Sequence, residues 1–130
     1  MKYQSLTEKE ETVARKIVDS AYKVHSKLGP GLLESVYETC FCYELTKHNL
    51  KFQRQLSVPI SYESIRFESA LRLDILVEDC VICELKSVEL VTPTFQAQLL
   101  SYLKLTGKRL GFLINFNVPY IKTGIKRIIL

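Results

Sequence analysis

Three residues in the middle of the chain could do chemistry together: Asp74, Glu84 and Lys86. They sit in two apolar runs, Leu73-Asp74-Ile75-Leu76-Val77 and Val81-Ile82-Cys83-Glu84-Leu85-Lys86, separated by Glu78-Asp79. Charges inside such strands are rarely tolerated unless they are paired or hold a metal. Strand side chains alternate between faces, so Glu84 and Lys86 share one side while Cys83 and Leu85 share the other. A tight turn over Val77 to Cys80 would lay the Asp74 strand antiparallel to its neighbour and bring positions near 74 and 84 face to face. Two carboxylates so placed can share Mg²⁺, which takes a few hard oxygen ligands and keeps several waters. A lysine two residues on could orient or deprotonate one of those waters, or offset charge developing on a phosphate. That combination is the chemistry of phosphodiester hydrolysis. The plain alternative is an exposed edge hairpin whose Lys and Glu form an ordinary ion pair.

The elements that must position these residues follow from periodicity. A first helix is predicted from about Glu8 to Lys27. Thr7 and Glu10 are spaced as a capping box, and Val13, Ile17, Ala21, Val24 and Leu28 form an apolar stripe. Leu28-Gly29-Pro30-Gly31 ends it. A second helix, about Leu32 to Lys47, carries Leu33, Val36, Tyr37, Cys40, Phe41 and Leu45 at helical spacing. Three strand-like runs follow: Phe52 to Tyr62, Phe67 to Val77 and Val81 to Lys86. Thr92-Pro93 opens a third helix that Gly107 closes. Leu110 to Phe116 is a further strand and Ile125 to Leu130 a candidate last one. The order ααβββαβ(β) predicts an α/β (α+β) sandwich: an antiparallel meander, then a right-handed crossover through the third helix into a strand that can pair in parallel. The carboxylate hairpin would then be central, which argues against an exposed edge.

Two helical constellations can be set against that hairpin. Glu34 and Tyr37 share one face near the start of the second helix, with Glu38 one turn after Glu34. From there Glu34 could reach a metal directly or through water; alternatively it is an acidic residue favoured by the helix dipole. In the third helix Gln98 and Tyr102 are four apart. Gln98 could hold substrate or a metal-bound water, or be a solvated amide beside a half-buried tyrosine.

Composition bounds these readings. The 130 residues suit one domain, 1–130, with 47% hydrophobic and 25% charged residues, an ordinary globular balance. No apolar run is long enough for a membrane span, and the Met1-Lys2-Tyr3-Gln4-Ser5 start lacks the apolar segment of a leader, so a cytoplasmic location is expected. A net charge of +4 is compatible with a polyanionic partner without arguing for one alone. Cys40 with Cys42, and Cys80 with Cys83, lack the partners and spacing of a zinc site, so buried free thiols in a reducing compartment are expected.

Gly31-Leu32-Leu33-Glu34-Ser35-Val36-Tyr37 spells the motif that names the GxxExxY protein family. The preceding Val24 to Gly31, the Leu73-Asp74 and Glu84-Leu85-Lys86 elements, Gln98 to Tyr102, and Gly111 to Phe116 followed by Ile125-Lys126-Arg127 resemble that family in order and context. That family in turn resembles the PD-(D/E)xK nucleases, a restriction-endonuclease-like fold with a mixed sheet flanked by helices. The resemblance implies Asp74 and Glu84 as metal-binding carboxylates, Lys86 as the catalytic lysine, Glu34 as the helical acidic residue and Gln98 as the helix residue that follows the core strands. The chain departs from the pattern in three places. Leu73 stands where the superfamily's name has proline, Tyr62 to Arg66 lacks the usual glycine, and Thr94-Phe95-Gln96-Ala97 lacks the acidic or histidine residue common before the glutamine.

The function so implied is a Mg²⁺- or Mn²⁺-dependent phosphodiesterase acting on nucleic acid, DNA before RNA. Asp74, Glu84 and the backbone carbonyl of Leu85 would hold the metal, Lys86 would serve the attacking water, and Glu34 and Gln98 would tune and orient the site. Tyr37 and Tyr102 are candidates for substrate positioning. Fold analogy adds a homodimer presenting two sites to a duplex or junction. The alternative is a catalytically silent module of the same fold that binds nucleic acid or a protein. A small-molecule phosphatase fits less well, because no glycine-rich phosphate cradle is present.

Overall fold

The computed structural model describes residues 5–130. The reading of the Met1–Gln4 start lies outside the described residues. Helix α1 (Glu8–Leu28) begins with the anticipated capping box: the Thr7 hydroxyl accepts from the Glu10 N–H, and the Glu10 carboxylate accepts from the Thr7 N–H. Helix α2 (Glu34–Lys47) starts two residues later than periodicity predicts, because Leu33 has extended dihedrals and serves as its N-cap. Strands β1 (Phe52–Tyr62), β2 (Ile65–Val77) and β3 (Val81–Lys86) follow. Helix α3 (Pro93–Thr106) leads into β4 (Leu110–Asn115), and a 3-10 turn at Ile121–Gly124 precedes β5 (Ile125–Ile129). Gly107 closes α3 in the left-handed conformation, φ 73°, that glycine adopts without strain.

The five strands form one mixed sheet in the order β1-β2-β3-β4-β5. All pairs are antiparallel except β3 and β4, which α3 connects in parallel. The Glu78-Asp79 break is a turn with both residues at positive φ, 51° and 56°, the geometry that matches the twist of a tight hairpin. Apolar residues on the two faces build separate cores. On one side Ile75, Val77, Cys83, Leu85, Phe112 and Ile114 pack under α1 and α2 through Ile17, Val24, Tyr37 and Phe41. On the other, Leu73, Leu76, Ile82 and Leu113 pack under α3 through Leu99 and Leu103. The result is a helix–sheet–helix sandwich with β3 in the middle, an α+β architecture consistent with a restriction-endonuclease-like core.

Several details differ from the sequence reading. Strand β2 begins at Ile65 rather than Phe67, after a turn in which Glu63 supplies the positive φ that a glycine would otherwise provide. Of the expected α2 stripe, Tyr37, Phe41 and Leu45 are buried, whereas Leu33 and Val36 are exposed. Thr92 has the extended dihedrals of an N-cap, with no side-chain cap bond. No helix among the described residues is long and apolar enough to cross a membrane.

Candidate metal and nuclease site

The β2–β3 ladder runs from Val77↔Val81 to Ile75↔Cys83, and continuing its register sets Asp74 opposite Glu84. On its other side Asp74 faces an interruption. Arg54 pairs with Ile75 and Leu56 with Leu73, while Gln55 between them is bent to φ 50°. Side-chain bonds replace the missing ladder: the Asp74 N–H donates to Glu84 Oε2 at 2.8 Å, and the Leu85 N–H donates to Asp74 Oδ2 at 2.9 Å. Each carboxylate thus has one oxygen anchored by backbone. Among the described residues Asp74 Oδ1 and Glu84 Oε1 carry no hydrogen bond. In extended backbone a residue's N–H and C=O point to the same neighbour, so the Leu85 carbonyl is directed to the Asp74 side as well.

Glu84 faces α3, as do Ile82 and Lys86 on the same strand face. Lys86 Nζ lies 4.5 Å from the centroid of the Phe95 ring, a cation–π contact that holds the ammonium above the sheet. Tyr102, two turns further along α3, feels both Asp74 and Glu84: burial first, then those charges, raise its phenol. Burial together with Asp74 pushes Glu84 up to about 8. Asp74 is raised by burial and by Glu38, against the Leu85 N–H, Lys86 and Arg72. Glu34, at the exposed start of α2, is raised by desolvation and by Asp74, with Lys86 opposing. Asp74, Glu84 and Glu34 therefore feel one another near the end of β3, and burial outweighs the help that Lys86 and Arg72 give them.

The loop that delivers Glu34 is pinned in three places. Tyr37 Oη donates to the Gly29 carbonyl at 2.5 Å and accepts from the Leu32 N–H at 3.1 Å. Ser87 Oγ, next to Lys86, donates to the Leu32 carbonyl at 2.6 Å. The Tyr37 ring stacks on Phe116 with centroids 4.6 Å apart, and the Phe116 N–H donates to the Lys86 carbonyl at 3.0 Å. Tyr37 is fully buried. Its hydroxyl donates and accepts inside the protein and so shapes the Gly29–Leu33 turn. Gln98 is exposed on the flank of α3, and no described hydrogen bond joins it to the carboxylates. Phe95 and Tyr102 are the α3 residues that face the charged cluster.

Four contributors have roles that a sequence reading does not assign. Phe95 looks like a core residue until Lys86 is set beside it. Glu38, one turn after Glu34, accepts from Arg54 Nε at 3.0 Å and Gln55 Nε2 at 2.9 Å, clamping α2 to the interrupted part of β1. Ser87 gives no pattern. Asn115, the register partner of Lys86, is the one with a signal, a buried amide closing an apolar strand. Its Oδ1 accepts from the Val88 N–H at 3.1 Å and its Nδ2 donates to the Val88 carbonyl at 2.9 Å, which ties down the chain leaving β3.

The donor set suits a hard, hydrated cation. No cluster of three or more His, Cys, Asp and Glu is gathered into a metal cage among the described residues. Mg²⁺ commonly takes only one or two carboxylates and fills its shell with water and substrate oxygens. The four cysteines are free, with Cys42 and Cys83 buried.

A mixed sheet between helical layers, with two carboxylates and a lysine on its central strands, is an α+β architecture consistent with a restriction-endonuclease-like core. Comparison with protein families agrees: residues 11–128 match the PD-(D/E)XK nuclease superfamily, and the chain belongs to it. No curated protein and no solved structure gave a significant match.

Proposed function

We propose that this protein is a Mg²⁺- or Mn²⁺-dependent nuclease that hydrolyses phosphodiester bonds in DNA. The observation that supports it most is the cross-strand pair Asp74 and Glu84. Each is anchored through one oxygen by a backbone N–H, leaving Oδ1 and Oε1 open beside Lys86. Asp74, Glu84 and the Leu85 carbonyl would hold the cation. Bound there, it would supply an activated water and charge stabilisation at the phosphate. Lys86, held over Phe95, would donate to the scissile phosphate and offset the charge that develops on it. Glu34 would accept a proton or hydrogen bond from water at the open side of the site, and Gln98 and Tyr102 would line the approach of the strand. One such site cuts one strand, so a homodimer would present two sites to a duplex or branched molecule. The free cysteines suit a cytoplasmic setting, and we take residues 1–130 as one domain.

Calorimetric titration of Mn²⁺ into the wild type and Asp74→Asn, followed by incubation with plasmid, linear, single-stranded and branched DNA, tests this. Asparagine keeps an acceptor for the Leu85 N–H, so the variant should fold. Binding and cleavage should be lost together. A folded wild type that binds no Mn²⁺ at millimolar concentration would overturn the proposal in favour of a silent module.

A further inference from the structure

Beyond the carboxylates, the same end of the sheet carries an open cleft of about 460 Å³ between the last turns of α1 and the segment joining β4 to β5. Tyr22, His25, Pro119, Tyr120, Ile121 and Lys122 line it. Tyr120 is 75% exposed and Tyr22 42%, although large aromatic side chains ordinarily contribute most when buried. Tyr120 is held there by its backbone. Its carbonyl accepts from the Thr123 N–H at 3.0 Å and from Thr123 Oγ1 at 2.8 Å. The carbonyl of nearby Val118 accepts from His25 Nε2 at 2.8 Å, and Ile121 is buried beneath. The lining includes the ammonium of Lys122 and no carboxylate.

The cleft opens on the α1 side of that end of the sheet, whereas Glu84 and Lys86 face α3, so a strand reaching both would pass round the ends of β3 and β4. The Phe116 N–H donates to the Lys86 carbonyl, and the four residue steps from Phe116 to Tyr120 span at most about 14 Å. Exposed aromatic rings on an apolar floor with a cation at the rim are the means by which proteins hold unpaired nucleotides: the ring stacks a base and the cation meets the phosphate. Inside a duplex both faces of each base are already stacked, so a tyrosine platform gains nothing from it.

We propose that this cleft is a subsite for an unpaired nucleotide, and that the substrate therefore carries a single-stranded segment within reach of the scissile phosphate rather than directly beside it. The inference rests on the nuclease reading and names the substrate class for the same site. The test uses the full chain in EDTA, so that neither metal binding nor cleavage enters. Anisotropy of a short labelled single strand is compared with that of a hairpin duplex of equal length. The wild type should prefer the single strand. Tyr120→Ala should weaken that complex roughly 5- to 150-fold and leave the duplex complex unchanged. Tyr120→Phe should retain the affinity, and Lys122→Ala should reduce the salt slope by about 0.7. Both side chains are exposed, and an unchanged Tm checks that the variants are folded. The proposal is overturned if the wild type shows no single-strand preference, if Tyr120→Ala changes nothing or weakens both complexes equally, or if phenylalanine fails to rescue. Metal-dependent cleavage by a protein with any of those results would leave the nuclease reading standing without the subsite. The expected binding pattern in a protein that never cuts would do the reverse.

Discussion

Glu84 is a buried carboxyl whose charged form the fold disfavours. It is only 5% exposed and faces Asp74 from β2, Lys86 from its own strand, Glu34 from α2 and Tyr102 from α3, so that Lys86 is the cation that opposes the two neighbouring carboxyls at Glu84. With its acidity shifted to about 8, the folded protein holds a proton that the unfolded chain releases at ordinary carboxylate pH. Stability of the chelated wild type should therefore fall as pH rises through that window. Glu84→Gln should flatten this dependence and raise the neutral-pH Tm by roughly 3–5 °C in EDTA, while abolishing metal-dependent cleavage. Thermal melts across pH with a cleavage assay decide it; a Tm lowered by Glu84→Gln would show that the carboxylate is well compensated. At Phe95 the prediction separates positioning from metal binding. Phe95→Leu should reduce cleavage roughly 3- to 30-fold through a loosened Lys86 and leave Mn²⁺ affinity unchanged, read by single-turnover rates and calorimetry.

Among the elements, the turn between α1 and α2 and the packing of Gly124 against the end of β4 shape the surroundings of the site. Tyr37→Phe leaves the Leu32 N–H and the Gly29 carbonyl without their partner, and should cost roughly 1–3 kcal/mol in denaturant unfolding. It should also lower kcat at unchanged KM, since the ring is buried away from any substrate. A changed KM with full stability would return Tyr37 to substrate binding. Gly124→Ala should destabilise by about 1–3 kcal/mol, because a Cβ there would collide with the Asn115 carbonyl oxygen. Much at this scale was legible beforehand, since helical and strand periods are local: the capping box, the Glu78-Asp79 turn and the Gly107 stop stand where sequence chemistry puts them. The start of α2 was less legible. Leu32 and Leu33 continue an apolar pattern, but the Tyr37 hydroxyl holds their turn out of the helix.

Taken whole, the molecule divides into a rigid centre and a projecting ribbon. Strands β3 and β4 are buried almost throughout, whereas β1 and β2 run on past β3 as a two-stranded arm whose residues 61–70 are all exposed. Local stability follows burial. Native-state hydrogen exchange should show β3 and β4 amides opening only with global unfolding, and the outer arm exchanging orders of magnitude faster. Equal protection of both would mean that the arm is covered in solution.

The sequence by itself determined the alternation that sets Glu84 and Lys86 on one strand face, the hairpin that lays Asp74 beside them, and the order of elements that makes β3 central. These depend on periods of two and 3.6 residues and on turn chemistry, all of it local. Only the tertiary structure decided which helix residues meet that hairpin. It brings Phe95 to Lys86, Tyr102 to the carboxylates and Glu38 to Arg54 and Gln55, and it turns Tyr37 inward. The reason is physical: contacts between elements depend on how helices roll and tilt on the sheet, which the packing of both cores sets and no single segment encodes.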